Sequence, residues 1–245
     1  MLAGRCRDVG GEARSVDNDR LAGTQHAARR EAAPFAAAAV LGYGALAGLS
    51  AWHGWSLYAP GDWWVWLVLA VPALLVVAAF LVGLGRLGVT EHRRESVIAL
   101  LAILAAANLV GIGLVVGSLL DHRETPTGGQ LLASAFVVLL VNMITFGLAF
   151  WELDSGGPAA RAIADGRACP DFQFPQDENR QLASPGWAPV LHDYVYLSVT
   201  NSIAFSPTDA MPLTHRAKLL MGVEAIIAAV TVLIVAARAV NILGG

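Results

Sequence analysis

The stretch from Pro189 to Asp209, PVLHDYVYLSVTNSIAFSPTD, decides how the rest of the chain is read. Val190 to Phe205 is apolar but short, and His192, Asp193, Thr200, Asn201 and Ser202 interrupt it. Apolar runs of about 10–14 residues are more often re-entrant or interfacial than spanning, because a crossing helix needs about 20. Pro189 suits the first turn of a helix. Ser206-Pro207-Thr208-Asp209 ends it, since proline lacks a donor and clashes with a continuing turn. Pro212 then resets the chain, and Thr214 reads as the N-cap of a further helix. The segment near 189–205 therefore reads as a helix that dips into a bilayer and turns back.

Its flanks are long enough to cross. Apolar stretches near 34–52, 63–84, 96–120, 131–151 and 217–243 each approach or exceed the span requirement. In lipid they must be helical, because nothing there satisfies unpaired backbone groups. The fold class is thus all-α integral membrane, with five transmembrane helices and one short re-entrant helix. Residues 34–245 form a single transmembrane domain, behind a polar tail (1–33) that reads as disordered.

Composition agrees. Of 245 residues, 56% are hydrophobic and 14% charged, against roughly a quarter charged in soluble domains. Mean hydropathy is +0.58. A net charge of −3 offers no basic surface for nucleic acid. The partner implied is the lipid bilayer, in a plasma or bacterial inner membrane crossed several times. Cys6 and Cys169 form no metal-binding pattern and read as free thiols.

Aromatic residues cluster at the span ends. Trp52, Trp55, Tyr58, Trp63, Trp64 and Trp66 surround the first loop, and Trp151, Trp187, Tyr194 and Tyr196 sit near the end of the fourth span and beyond. Two interfacial belts on opposite faces would look like this. The connection 152–188 carries Pro158, Pro170, Pro175 and Pro185. It reads as an extended water-facing loop, with Phe172 and Phe174 pinning it to the membrane surface. Loops this long are more often functional than structural.

Several motif matches carry nothing. Gly83-Leu-Gly85-Arg-Leu-Gly88 has dinucleotide-loop spacing but follows a span rather than a strand. Gly42-Tyr43-Gly44 lies inside the first span. Gly44-x-x-x-Gly48 and Gly113-x-x-x-Gly117 read as small residues at helix contacts. His192, Asp193, Ser198 and His215 match no catalytic triad, so no enzyme, cofactor or metal site is expected.

Ionisable groups at bilayer depth face a bundle interior or water. A stripe along the last span holds Leu220, Glu224, Ala228, Thr231, Val235 and Arg238. Arg238, so close to the C-terminus, reads as snorkelling to the surface. Glu224 needs a polar neighbour, and Asn108 and Asn142 in the third and fourth spans are the obvious ones.

The order of spanning helix, loop, dipping helix, broken segment and final span resembles the pore module of the tetrameric potassium-channel superfamily. Asp193-Tyr194-Val195-Tyr196-Leu197-Ser198-Val199-Thr200 is similar to its pore helix. Asp209 and Pro212 fall where that family has its acid and proline, and Arg216, Leu219 and Leu220 resemble the opening of its inner helix. The stretch is also similar to an uncharacterised group of bacterial multi-span proteins related to that module. The resemblance covers about a fifth of the chain. It implies a pore-forming homo-oligomer, a tetramer, that passes small ions. Thr200, Asn201, Ser202, Ser206 and Asp209 would form the constriction, and Glu224 and Thr231 the wall.

Two features depart from the family. Its filter is a Thr-Val-Gly-Tyr-Gly strand with inward carbonyls, whereas Asn201 to Thr208 holds no glycine. Arg29, Arg30, Arg86, Arg93 and Arg94 favour a cytoplasmic N-terminus. The dipping helix would then enter from the cytoplasm, opposite to those channels. The other function compatible with the chain is a non-conducting scaffold or sensor that binds a partner through 152–188.

Overall fold

A computed structural model gives a mostly helical chain and describes residues 18–55, 62–78, 91–120, 127–163, 169–204 and 209–243. In chain order the helices are α1 (Asn18–His53), α2 (Trp64–Ala78), α3 (Glu91–Leu120), α4 (Gly128–Leu153), α5 (Pro158–Ile163), α6 (Pro175–Glu178), α7 (Leu191–Ala204) and α8 (His215–Leu243). A two-residue strand β1 (Phe172–Gln173) pairs antiparallel with β2 (Met211–Pro212). Arg30–His53 and Gly128–Gly156 are long and apolar enough to cross a membrane; Trp64–Leu75 and Leu101–Gly117 are shorter apolar helices.

α4 is the centre of the bundle and packs on α1, α3, α7 and α8, while α2 bridges α1 and α3. Glu31 of α1 and the C-terminus of α4 meet the start of α7 at one end, where Leu191 N donates to Glu31 Oε2 at 3.2 Å. Trp55 and Gly129 adjoin at the other end. α1 and α4 are therefore antiparallel.

The helix starts follow local chemistry. Thr127 caps α4 by accepting from Gln130 N at 3.2 Å. Asp193 reaches back to Val190 N at 2.8 Å, half of a capping box that starts α7 two residues beyond Pro189. Thr214 caps α8 as the sequence implied, accepting from Ala217 N at 3.3 Å.

Four expectations are corrected. Residues 18–33 are the first turns of α1 and not an unstructured tail, and Pro34 lies inside that helix. Alanine, arginine, glutamate and glutamine dominate the segment, and all favour helix. Second, Trp66, Trp151 and Tyr194 are core residues rather than interfacial aromatics, although Trp52, Trp63, Trp64 and Tyr196 are exposed. Third, 152–188 is partly folded. Phe172 and Phe174 turn inward, their rings 5.2 Å from Phe150 and 5.3 Å from Tyr194 respectively. Burial of two phenyl groups decides this, since each gains about 1.5–3 kcal/mol inside protein. Finally, Cys169 is disulfide-bonded rather than free; Cys6 lies outside the described residues.

Beside an apolar core, the chain exposes large apolar residues and buries polar ones. Leu41, Ile103, Leu109, Phe136, Ile226 and Leu233 are exposed, while Asn108, Asn142, Ser198, Asn201, Ser202 and Glu224 are buried. Buried polar groups beneath exposed large apolar ones are the informative observation in any such comparison.

Candidate functional site at the α4–α7–α8 junction

α7 carries Ser198, Asn201 and Ser202 at i, i+3 and i+4, so all three share one face. That face meets Glu224, a side chain with 0% exposure on α8. Asn201 Nδ2 donates to Glu224 Oε2 at 2.7 Å and to the Met221 carbonyl at 2.9 Å. Two acceptors on one nitrogen fix the orientation of that amide. Ser202 Oγ donates to Glu224 Oε1 at 3.1 Å. Ser198 Oγ bonds the same Oε1 and also lies 2.8 Å from the Met143 carbonyl of α4. One carboxyl group thus ties three helices together.

The approach of α7 to α4 is set by Gly147. A Cβ there would stand 2.9 Å from both Cα and Cγ2 of Val195. Gly44, Gly48 and Gly113 read from the sequence as contact glycines, yet a Cβ added at any of them would meet nothing within 4 Å. Spacing alone did not pick out the packed Gly147, because exposed and packed faces of an Ala/Gly-rich helix look alike.

Asn108 and Asn142 do not reach Glu224. They bond each other, Asn108 Nδ2 to Asn142 Oδ1 at 3.1 Å, and Tyr43 Oη donates to Asn108 Oδ1 at 3.1 Å. This second network lies between α1, α3 and α4. On α4 the two networks touch consecutive residues, the Asn142 side chain and the Met143 carbonyl. Asn142 Nδ2 has no hydrogen-bond partner among the described residues. Thr231 is buried and returns its hydroxyl to Ile227 O of its own helix at 2.8 Å.

A polar lock closes the end where α4 finishes and α7 and α8 begin. Asp154 Oδ1 accepts from the backbone N–H of Asp171 at 2.6 Å and of Phe172 at 3.3 Å, and Oδ2 from Tyr194 Oη at 2.5 Å. Arg161 crosses the Tyr194 ring at 5.4 Å and donates to Trp151 O and Asp154 O at 2.9 and 2.7 Å. The buried Asp171 carboxylate pairs with Arg216, whose Nε is 2.6 Å from Oδ1 and whose side chain is 51% exposed. Hydrogen bonding to Asp171 pushes the Arg216 pKa above its ordinary value. Leu213 N donates to Asp171 O at 2.8 Å. The chain that left this end as α7 is back at it by Met211.

Of the constriction residues named from sequence, Asn201 and Ser202 join Glu224. Thr200 and Asp209 stand apart from them, lining a small cavity of about 140 Å³ with Asp193 and Tyr196. Ser206 lies outside the described residues, and so does the Arg238 side chain. A larger cavity of about 870 Å³ opens in the folded connection, between Glu31, Trp151, Arg161, Asp177, Arg180 and Trp187. His192 packs edge-on against Phe35, 5.1 Å between ring centroids, away from Ser198. No group of three metal-ligating side chains occurs among the described residues.

Sequence reading missed Asp154, Asp171 and Gly147, and it did not place Ser198 at Glu224. Only Ser198 left a signal, one turn before the Asn201-Ser202 pair. Compared with known protein families, curated proteins and solved structures, the chain matches none.

Proposed function

We propose that this chain is a multi-pass protein of the cell membrane that forms an ion-conducting pore as a homo-oligomer. α1, α2, α3, α4 and α8 are its spans in this reading, with α8 crossing from Ala217 onward, and α7 enters the bilayer without leaving on the far side. One observation carries it: Glu224 is buried in a bundle with an apolar exterior, and its partners come from a helix too short to cross. At 14 residues α7 is about 21 Å long, against a hydrocarbon core of about 30 Å. An intramembrane acid held by such a helix is a functional group by default.

Each side chain then has a task. Ser198, Asn201 and Ser202 fasten α7 to α8 through Glu224, which sets the position of the chain that follows Ala204. Thr200, Ser206 and Asp209 belong to the permeant side, where the Asp209 carboxylate at the mouth raises the local cation concentration. Glu224 and Thr231 support that wall from inside the subunit. The likeness to the pore module favours four subunits.

The test is flux. Purified protein in liposomes should conduct at least one of K⁺, Na⁺, H⁺ or Cl⁻. Glu224→Gln should cut that flux about tenfold, which corresponds to about 1.4 kcal/mol, while the oligomer elutes unchanged. Wild-type vesicles that pass none of these ions would contradict the reading.

A further inference from the structure

The hydrogen bonds around Glu224 specify what the cradle can take. The Asn201 amide donates to Oε2, and the Ser198 and Ser202 hydroxyls, which can donate or accept, lie on Oε1. A metal cation needs oxygen lone pairs turned toward it. Here the Asn201 amide, fixed by Met221 O on its second hydrogen, presents nitrogen instead. On its amide side the cradle is built against a metal ion.

It is not built against a proton. The Ser198 hydroxyl owns one hydrogen and sits between two acceptors, Met143 O and Glu224 Oε1. Two complete arrangements follow from that one hydrogen. In the first, Glu224 carries a proton on Oε1 and donates it to Ser198 Oγ, and Ser198 donates to Met143 O. In the second the carboxyl is ionised, its proton has passed to water, and Ser198 turns its hydrogen onto Oε1 beside that of Ser202. Neither leaves a buried donor unused.

Among the described residues no counter-ion competes for the role. The described titratable side chains on the elements packed against Glu224 are His192, Asp193, Tyr194 and Tyr196 (α7), Glu152 (α4), Glu95 (α3), and His215, Arg216 and Lys218 (α8); the side chains of Glu91, His92, Arg93, Arg94 and Arg238 lie outside the described residues. Among the described residues none of them bonds or pairs with Glu224. A buried carboxylate without a cation is costly, and protonation is the ordinary escape.

We infer that the Ser198–Asn201–Ser202 cradle is a proton-binding site, in which Glu224 takes up and releases one proton and Ser198 switches its hydrogen bond between Met143 and Glu224. The site presupposes the apolar setting proposed above, but it does not require that the pore conduct. It adds a chemical state to the fastening between α7 and α8: three donors grip an anion, whereas a neutral acid holds more loosely.

Infrared difference spectroscopy on the full chain in liposomes reads the carboxyl directly. Wild type should show a protonated-carboxyl C=O band that disappears as the pH is raised between 4 and 9, and that shifts in ²H₂O. Glu224→Gln should lack it. Ser198→Ala should keep the band but move its frequency, since the hydroxyl that receives the proton is gone. Identical wild-type and Glu224→Gln spectra across that range would overturn the inference. So would loss of the band on adding Na⁺, K⁺ or Li⁺ at fixed pH, which would mark a cation site. Vesicles that fail to conduct yet show the band would contradict the pore and leave the proton site standing.

Discussion

Gly147→Ala is expected to destabilise the protein by about 1–2 kcal/mol, and Gly147→Leu to displace α7 altogether. Helix propensity argues the opposite, because alanine in place of an interior glycine gains about 1 kcal/mol. Packing decides. The new Cβ would lie 2.9 Å from Val195 Cα and 3.3 Å from its backbone nitrogen. Backbone cannot rotate away as a flexible side chain could, so α7 must move off α4. Overpacking of this kind costs about 1–3 kcal/mol even when the surroundings relax. Ser198 sits one turn beyond Val195, so the same shift pulls its hydroxyl from Met143 O and Glu224. Gly113→Ala is the control, with nothing within 4 Å, and should be neutral or slightly stabilising. Thermal unfolding in detergent distinguishes them. A Gly147→Ala protein as stable as Gly113→Ala would contradict the α4–α7 contact.

Asp154→Ala should be the most damaging change at the capped end. The carboxylate is fully buried and receives three hydrogen bonds. Alanine strands two backbone N–H groups and the Tyr194 hydroxyl, at about 1–3 kcal/mol for each buried group left unpaired. The loss spreads, because Asp171 is both a donor to Asp154 and the partner of Arg216 and Thr214. We expect limited proteolysis between 154 and 189 to accelerate at least tenfold, with the melting temperature lowered. Asp154→Asn keeps one acceptor oxygen and should fall between. Cleavage of Asp154→Ala at the wild-type rate would show that the carboxylate does not hold the cap.

How far the sequence could be read depended on the kind of signal. α7 is legible as a short helix because Pro189 and Ser206-Pro207 bound it in the sequence, and Thr214 because an N-cap is a local device. Glu224 stood out as an ionisable group where apolar residues are the rule. Its partners were not legible. Asn108 and Asn142 looked suitable by depth, but which face of each helix meets which neighbour is decided by packing, and they pair with Tyr43 instead. The lock at the capped end was hidden more completely. Asp154, Asp171 and Arg216 are 17 and 45 residues apart in successive steps, inside a stretch whose prolines and amides look like an open loop. The sequence marks Phe172 and Phe174 as apolar anchors but not the direction they turn, since burial against protein and insertion at a headgroup surface satisfy the same apolar requirement.

The path of the chain through α7 is what all functional proposals here share, and cysteine labelling in sealed vesicles tests it most directly. With Cys6 and Cys169 replaced by serine, single cysteines are placed at Asn179 in the cap, at Asp209 after α7, and at Gly245 beyond α8. A membrane-impermeant thiol reagent should label positions 179 and 209 from the same side and position 245 only from the other. Labelling of 179 and 209 from opposite sides would make α7 a crossing helix, and labelling of all three from one side would take α8 out of the membrane; either contradicts the account.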